Sequence, residues 1–254
     1  GDSMELNRDY ESAAIYKWRK KRKKAFVLFI CIVGICFLVT RMVRVEDKTT
    51  VKVHNMHTEQ NEKAIRYVAS NMIKEDPKIA ITFDDGPSPA WTPQLLDGLK
   101  ERNVKATFFL IGENAKNNPE LVKREAEEGH LIGNHTYHHV EITRVPDETA
   151  QEEILMTNEV ITGITGEEVS YMRPPFGVWQ KNLERKLDVM PVLWTIDPLD
   201  WTTDNEDEII NKVVTQAGEN DIILLHDCYE SSVNAALRIV DILQKEGFEF
   251  VTVD

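Results

Sequence analysis

The chain has 254 residues, 42% of them hydrophobic and 29% charged, with a formal net charge of −13. Residues 1–77 carry 15 Lys and Arg against 10 Asp and Glu, a net +5, whereas residues 78–254 carry 15 against 33, a net −18. So acidic a body would be repelled by nucleic acid and by an anionic bilayer, which excludes both as its partners and leaves a neutral or cationic ligand.

The N-terminal part has its own pattern. Residues 1–24 form a basic stretch that ends in Lys17-Trp18-Arg19-Lys20-Lys21-Arg22-Lys23-Lys24, and Ala25 to Thr40 then run without a charge. As a helix that run spans roughly 24 Å, somewhat less than the roughly 30 Å hydrocarbon core of a bilayer. Snorkelling by Arg41 and Arg44 extends it to Val45. No small-residue cleavage site follows the run, and isoleucine precedes both Cys31 and Cys36, so neither a cleaved leader nor a lipoprotein signal is expected. The expectation is a single transmembrane signal anchor over 25–45. By the positive-inside rule its N-terminus is cytoplasmic and the acidic body lies outside. Residues 46–77 are polar and mixed in charge and read as a stalk, with a short amphipathic helix over 62–73 from Ile65, Val68, Met72 and Ile73. Only Cys228 remains in the body, which excludes an internal disulfide there.

From Lys78 onward, short apolar runs alternate with amphipathic ones. The pattern predicts strands at 78–83, 105–110, 131–134, 170–173, 192–196, 221–225 and 249–253. Helices are expected near 92–102, 119–128, 147–164, 180–187, 207–216 and 233–246. Alternation of this kind implies a mainly parallel sheet covered on both faces, and seven such units imply one closed or nearly closed barrel.

A parallel barrel builds its site at the C-terminal ends of its strands, and those ends are polar here. The first delivers Asp84-Asp85-Gly86-Pro87, two adjacent carboxylates that repel unless a cation or a strong donor sits between them. The third is followed by His135-Thr136-Tyr137-His138-His139. His135 and His139 are four apart, which on a helical turn places both rings on one face, and one carboxylate completes a His, His, Asp ligand set. His138 would point away from that face. Arg173 precedes Pro174-Pro175-Phe176-Gly177, as a surface ion-pair partner or as a bidentate clamp on a carboxylate. Asp197-Pro198-Leu199-Asp200-Trp201 follows the fifth strand. His226 ends an apolar strand, as a satisfied core histidine or as a site residue.

These residues resemble those of the polysaccharide deacetylases with a NodB-homology domain, carbohydrate esterase family four. The resemblance covers Lys78 to Asp254 and rests on five motifs in the family's order: Thr-Phe-Asp-Asp-Gly-Pro, His-Thr-x-x-His, Arg-Pro-Pro-Phe-Gly, Asp-x-x-Asp-Trp and Leu-x-His. It implies a distorted (β/α) barrel of about seven parallel strands, the catalytic domain of residues 78–254. It also implies one divalent metal ion, Zn2+ or alternatively Co2+, Ni2+ or Mn2+, held by Asp85, His135 and His139. On the same basis Asp84 is the general base, oriented by Arg173, and His226 is the general acid, held by Asp200. Phe176 lends a backbone N–H to the oxyanion, and Pro175, Phe176, Trp194, Trp201 and Leu224 wall the acetyl groove. Phe176 stands where the family often has tyrosine, and His138 where a small residue is common. Both aspartates of the first motif are present, which resembles the metal-dependent N-acetylglucosamine enzymes.

The expectation is therefore an N-deacetylase held by the membrane at the wall of a bacterium, with a peptidoglycan or similar N-acetylglucosamine polymer as its glycan partner. Chitin-like oligosaccharides and O-acetyl xylan suit the same chemistry. The rival readings are a sugar-binding protein that has lost catalysis and a metal-dependent phosphoesterase. The complete set of polar strand ends opposes the first, and the lack of a further basic cluster to hold a phosphate opposes the second.

Overall fold

The computed structural model describes residues 62–63, 76–179, 183 and 187–254. The expected basic N-terminus, the anchor over 25–45, and most of the stalk and of the helix over 180–187 lie outside the described residues. Among the described residues no helix is long and apolar enough to cross a membrane. The strands and helices named below all belong to the unit Glu75–Asp254.

Among the described residues seven strands form one sheet: β1 (Lys78–Asp84), β2 (Thr107–Leu110), β3 (Leu131–Asn134), β4 (Tyr171–Met172), β5 (Met190–Pro191), β6 (Ile222–His226) and β7 (Glu249–Val251). Their order is β5-β4-β3-β2-β1-β6, and every pairing is parallel. β7 takes the N-terminal half of β1, at Lys78 to Ala80, while β2 takes the C-terminal half, at Thr82 to Asp84. Among the described residues six helices cover the sheet: α1 (Thr92–Glu101), α2 (Gly112–Asn117), α3 (Pro119–Glu127), α4 (Asp147–Thr165), α5 (Glu206–Val214) and α6 (Glu230–Lys245).

The sheet is curled into a half-barrel, and the stretch from β5 to Ile196 bridges its two edges. Val192 N–H donates to the Met172 carbonyl of β4, and a few residues on Thr195 and Ile196 donate to the Ile222 carbonyl of β6. Of the strand expected at 192–196 only a lone bridge at Ile196 is formed, and the short β5 lies just before it. In the interruption the carbonyls of Val192 and Leu193 accept from the Arg173 guanidinium.

Side-chain alternation along β1 sorts core from site. Ile79, Ile81 and Phe83 are fully buried under the helices, with Phe83 stacked on Phe108 at 5.3 Å between ring centroids. Thr82 and Asp84 lie on the opposite face, where Arg173 reaches both. Helix α1 shows why this sequence packs as it does. Pro93 in its first turn lacks an N–H that would have no helical partner there. Leu95, Leu96 and Leu99 form its buried stripe. Gly98 lies so close to Leu237 of α6 that a Cβ there would come within 2.5 Å of the leucine methyls. The sequence pattern did not predict α2, because its six residues are too few for a helical period to show.

Candidate active site

Asp84 is the last residue of β1 and pairs in register with His226, the last residue of β6. Strand pairing therefore sets a carboxylate and an imidazole side by side at the same end of the sheet. Both line a cleft of about 440 Å³, together with Asp85, His135, His139, Pro174, Phe176, Trp194, Asp197, Leu199, Trp201, Leu224 and Tyr229.

The two adjacent aspartates have separate surroundings. Asp84 Oδ1 accepts from Arg173 Nη1 at 2.8 Å, while its Oδ2 lies 3.8 Å from His135 Nε2. Arg173 does not line the cleft. It sits behind Asp84 and spends its donors on Asp84, Thr82 Oγ1 at 2.7 Å, and the Val192 and Leu193 carbonyls at 3.2 Å each. Burial draws the guanidinium pKa below its usual value, and Asp84 opposes that shift.

Asp85 leaves the strand with φ 71°, in the left-handed region, and so turns away from its neighbour. Its carbonyl is held by Asn114 Nδ2 at 2.8 Å. Its Oδ1 lies 3.3 Å from His135 Nε2 and 3.4 Å from His139 Nε2. Burial alone would raise the Asp85 pKa, but His135, His226 and His139 outweigh it and the net direction is downward. Burial and the neighbouring His135 push the His139 pKa down.

Asp85, His135 and His139 present three ligand atoms within 4.8 Å of one another, the one such group among the described residues. Two further observations fit them to a divalent ion. Asp85 Oδ1 is buried without a hydrogen-bond partner, which is costly unless a cation takes it. His135 Nδ1 lies 2.6 Å from the Arg173 carbonyl. A carbonyl can only accept, so Nδ1 carries the proton and Nε2 offers its lone pair toward Asp85. One carboxylate and two imidazoles suit Zn2+ and its neighbours in the first transition row.

His226 is held by Asp200 at two points: Nδ1 to Oδ1 at 2.8 Å, and the backbone N–H to Oδ2 at 2.8 Å. Burial would lower its pKa, but Asp200 more than reverses that and the ring is raised to about 9. Asp200 itself is buried and stands behind the imidazole, as Arg173 stands behind Asp84.

The walls of the cleft are apolar. Phe176 and Trp201 are 63% and 57% exposed, an unusual display for large aromatic side chains unless something covers them. Phe176 has φ 63°, directly after two prolines. Gly177 has φ 70°, and a Cβ on it would come 2.9 Å from the Trp194 ring, so Trp194 packs where only glycine leaves room.

Of the residues expected from sequence, Asp84, Asp85, His135, His139, Phe176, Trp194, Trp201, Leu224 and His226 all line the cleft. Pro174 lines it too, whereas the expected Pro175 is buried outside the wall. His138 faces away and pairs with Glu153 at 2.7 Å. Cys228 is not in the wall, and burial raises its thiol pKa to about 12. Sequence reasoning missed Tyr229, which stands three residues after His226 and belongs to no motif.

Fold and site together define an α/β half-barrel whose strand ends carry an Asp, His, His cluster able to hold a metal ion and a carboxylate–imidazole pair. Comparison with known proteins places the chain in a family. Residues 71–192 match the family model described as polysaccharide deacetylase. A Bacillus cereus peptidoglycan-N-acetylglucosamine deacetylase is 38% identical over 195 residues, covering 74% of this chain and 91% of that protein. The chain belongs to the polysaccharide deacetylase family. The peptidoglycan-N-acetylglucosamine deacetylase PgdA of Listeria monocytogenes is 36% identical over 214 residues, 82% of this chain, and the aligned region spans only 45% of that longer protein. The solved structure of the peptidoglycan deacetylase PdaC from Bacillus subtilis superposes with a TM-score of 0.69 at 39% identity, over 70% of this chain and 88% of that one.

Proposed function

We propose that the chain hydrolyses N-acetyl groups on a cell-wall glycan, with N-acetylglucosamine of peptidoglycan as substrate and acetate as product. The observation that carries this reading is the division of labour at one strand end. Asp84 is held by Arg173 with one oxygen left toward the cleft, while Asp85 is set against two imidazole nitrogens. The names of the Bacillus and Listeria relatives support the choice of glycan.

Asp85, His135 and His139 would hold the divalent ion, which when bound supplies a Lewis acid that lowers the pKa of a water toward about 7 and polarises a carbonyl. Zinc is the metal we propose. Asp84 takes the proton from the attacking water through Oδ2, since Oδ1 is committed to Arg173. The Phe176 N–H donates to the carbonyl oxygen as negative charge builds on it. The water oxygen bonds to the acetyl carbon, the C–N bond breaks, and His226 passes a proton to the departing nitrogen, with Asp200 steadying the imidazolium. The products are acetate and a free amine on the sugar. Trp194, Trp201, Leu224 and Phe176 offer apolar surface for the acetyl methyl.

We also propose that residues 25–45 anchor the chain in the membrane, with the catalytic body outside at the wall. The basic block before that stretch and the absence of charge over Ala25 to Thr40 support this.

His139→Ala tests the site. Bound divalent ion and acetate release should fall together, and full metal occupancy in the variant would overturn the ligand assignment.

A further inference from the structure

The loop that carries both histidine ligands is held from two sides. On one side, the first residues of α2 donate to its carbonyls, Gly112 N–H to Thr136 O at 3.0 Å and Glu113 N–H to Tyr137 O at 3.1 Å. Gly112 admits this approach because a Cβ there would meet the Tyr137 ring at 2.5 Å. On the other side stands Glu153 of α4, only 7% exposed. Its Oε2 accepts from Tyr137 N–H at 3.0 Å and His138 N–H at 2.8 Å, and its Oε1 meets His138 Nδ1 at 2.7 Å. Asn134 completes the attachment: its Nδ2 donates to the Ile154 carbonyl and to Asn158 Oδ1, also on α4, and its Oδ1 accepts from Thr136 N–H.

The loop needs such support. Thr136 and His139 have φ 62° and 56°, in the left-handed region that β-branched and bulky residues rarely occupy. Without an outside acceptor, the Tyr137 and His138 amides would also have no partner on this side of the loop. The two ligands flank the two amides that Glu153 holds, with His135 before them and His139 after. Rotation of those peptide planes would move one imidazole relative to the other and to Asp85. In this conformation the Tyr137 and His138 amides share one carboxylate oxygen and the His138 ring turns to the other, away from the cleft.

We infer that Glu153 is a positioning residue for the metal cradle: a helix-borne carboxylate that fixes the spacing of His135 and His139 by capping the backbone between them. The inference rests on the reading of Asp85, His135 and His139 as metal ligands. Glu153 itself touches neither metal nor substrate.

The test is a Co2+ titration of the chelator-stripped full chain, following the visible absorption of the bound ion. Glu153→Ala should weaken cobalt binding by about 10- to 100-fold, the usual scale for losing a group that orients a ligand, and should change the band shape. Glu153→Gln keeps an acceptor for both amides and should restore affinity to within a few-fold of the unmodified chain. His138→Ala removes only the ring partner and should do the same. Ile154→Ala, one residue along α4, deletes a buried side chain without removing any of these bonds. It should lower thermal stability and leave cobalt affinity in place. If Glu153→Ala binds cobalt with unchanged affinity and spectrum, or Ile154→Ala loses as much affinity, the inference is overturned. If the unmodified chain binds no cobalt, the metal reading falls, and this inference with it.

Discussion

Arg173 and Asp84 form an ion pair in which neither side chain has appreciable access to water: the arginine is 0% exposed and the aspartate 4%, with 2.8 Å between them. The guanidinium also lies 4.3 Å from the Phe109 ring centroid, so its charge is enclosed by an aromatic face as well as by acceptors. Removing one partner of a buried pair leaves the other charge uncompensated, at a cost of about 3–5 kcal/mol. Arg173→Met should therefore lower the unfolding free energy by that order in a denaturant titration. Arg173→Lys should fare poorly as well. A single ammonium cannot serve Asp84, Thr82 and two backbone carbonyls from one planar fork. An Arg173→Met chain with unchanged stability would contradict this account of the pair.

Asp84→Asn separates base chemistry from metal holding. The amide oxygen still accepts from Arg173, and the three ligand side chains are untouched. Metal content should stay at the level of the unmodified chain while turnover falls by about 10²-fold or more, the scale of a lost general base. A near-normal rate would assign the proton transfer to another group.

The His226–Asp200 pair predicts a pH dependence with a definite sign. The His226 ring is raised from 6.5 to about 9, so its charged form persists through neutral pH. Because the folded value lies above the unfolded one, the pair's contribution to stability is fully present below about 6.5 and is lost as pH rises through about 9. NMR titration of the chelated chain should show this ring titrating near 9. Asp200→Asn should return it toward the ordinary imidazole range and should abolish the loss of stability over that interval. Titration of the variant at the unmodified position would mean that Asp200 is not the cause.

Gly177→Ala probes the groove wall without touching a charged group. The substitution places a Cβ at φ 70°, 2.9 Å from the Trp194 ring, so the indole must move. A severalfold rise in KM for an N-acetylglucosamine oligomer is expected, with cobalt affinity unchanged. An unaltered KM would remove Trp194 from the wall that substrate meets.

Much of the molecule was legible because strand ends are punctuated in sequence. Lys78-Ile79-Ala80-Ile81-Thr82-Phe83 is short, apolar and β-branched, and two carboxylates followed by Gly-Pro mark where it stops. The four-residue spacing of His135 and His139 was equally readable. The left-handed backbone at Thr136 and His139 was not, since the spacing suggested a regular helical turn where the structure has a capped loop. Another miss lies at Val192 and Leu193, whose carbonyls accept from the Arg173 side chain where a strand was expected, a tertiary contact that leaves no local signal. Glu153 was invisible for a similar reason. It is one glutamate in the first half of an amphipathic helix, and only tertiary packing aims it at the amides of a loop 15 residues earlier. Tyr229 reaches the cleft because α6 begins directly after β6, and no periodicity marks it.

The central claim is that these residues make a metal-dependent N-deacetylase of wall glycan. The most direct test is acetate release by the full chain from N-acetylated peptidoglycan and from a short chitin oligomer, with and without a chelator and with metal restored. The account predicts acetate in equal measure to new amino groups on the glycan, loss of both on chelation, and recovery of both when the divalent ion returns. Acetate release that survives complete removal of the metal, or none from either glycan by a chain shown to carry its ion, would contradict it.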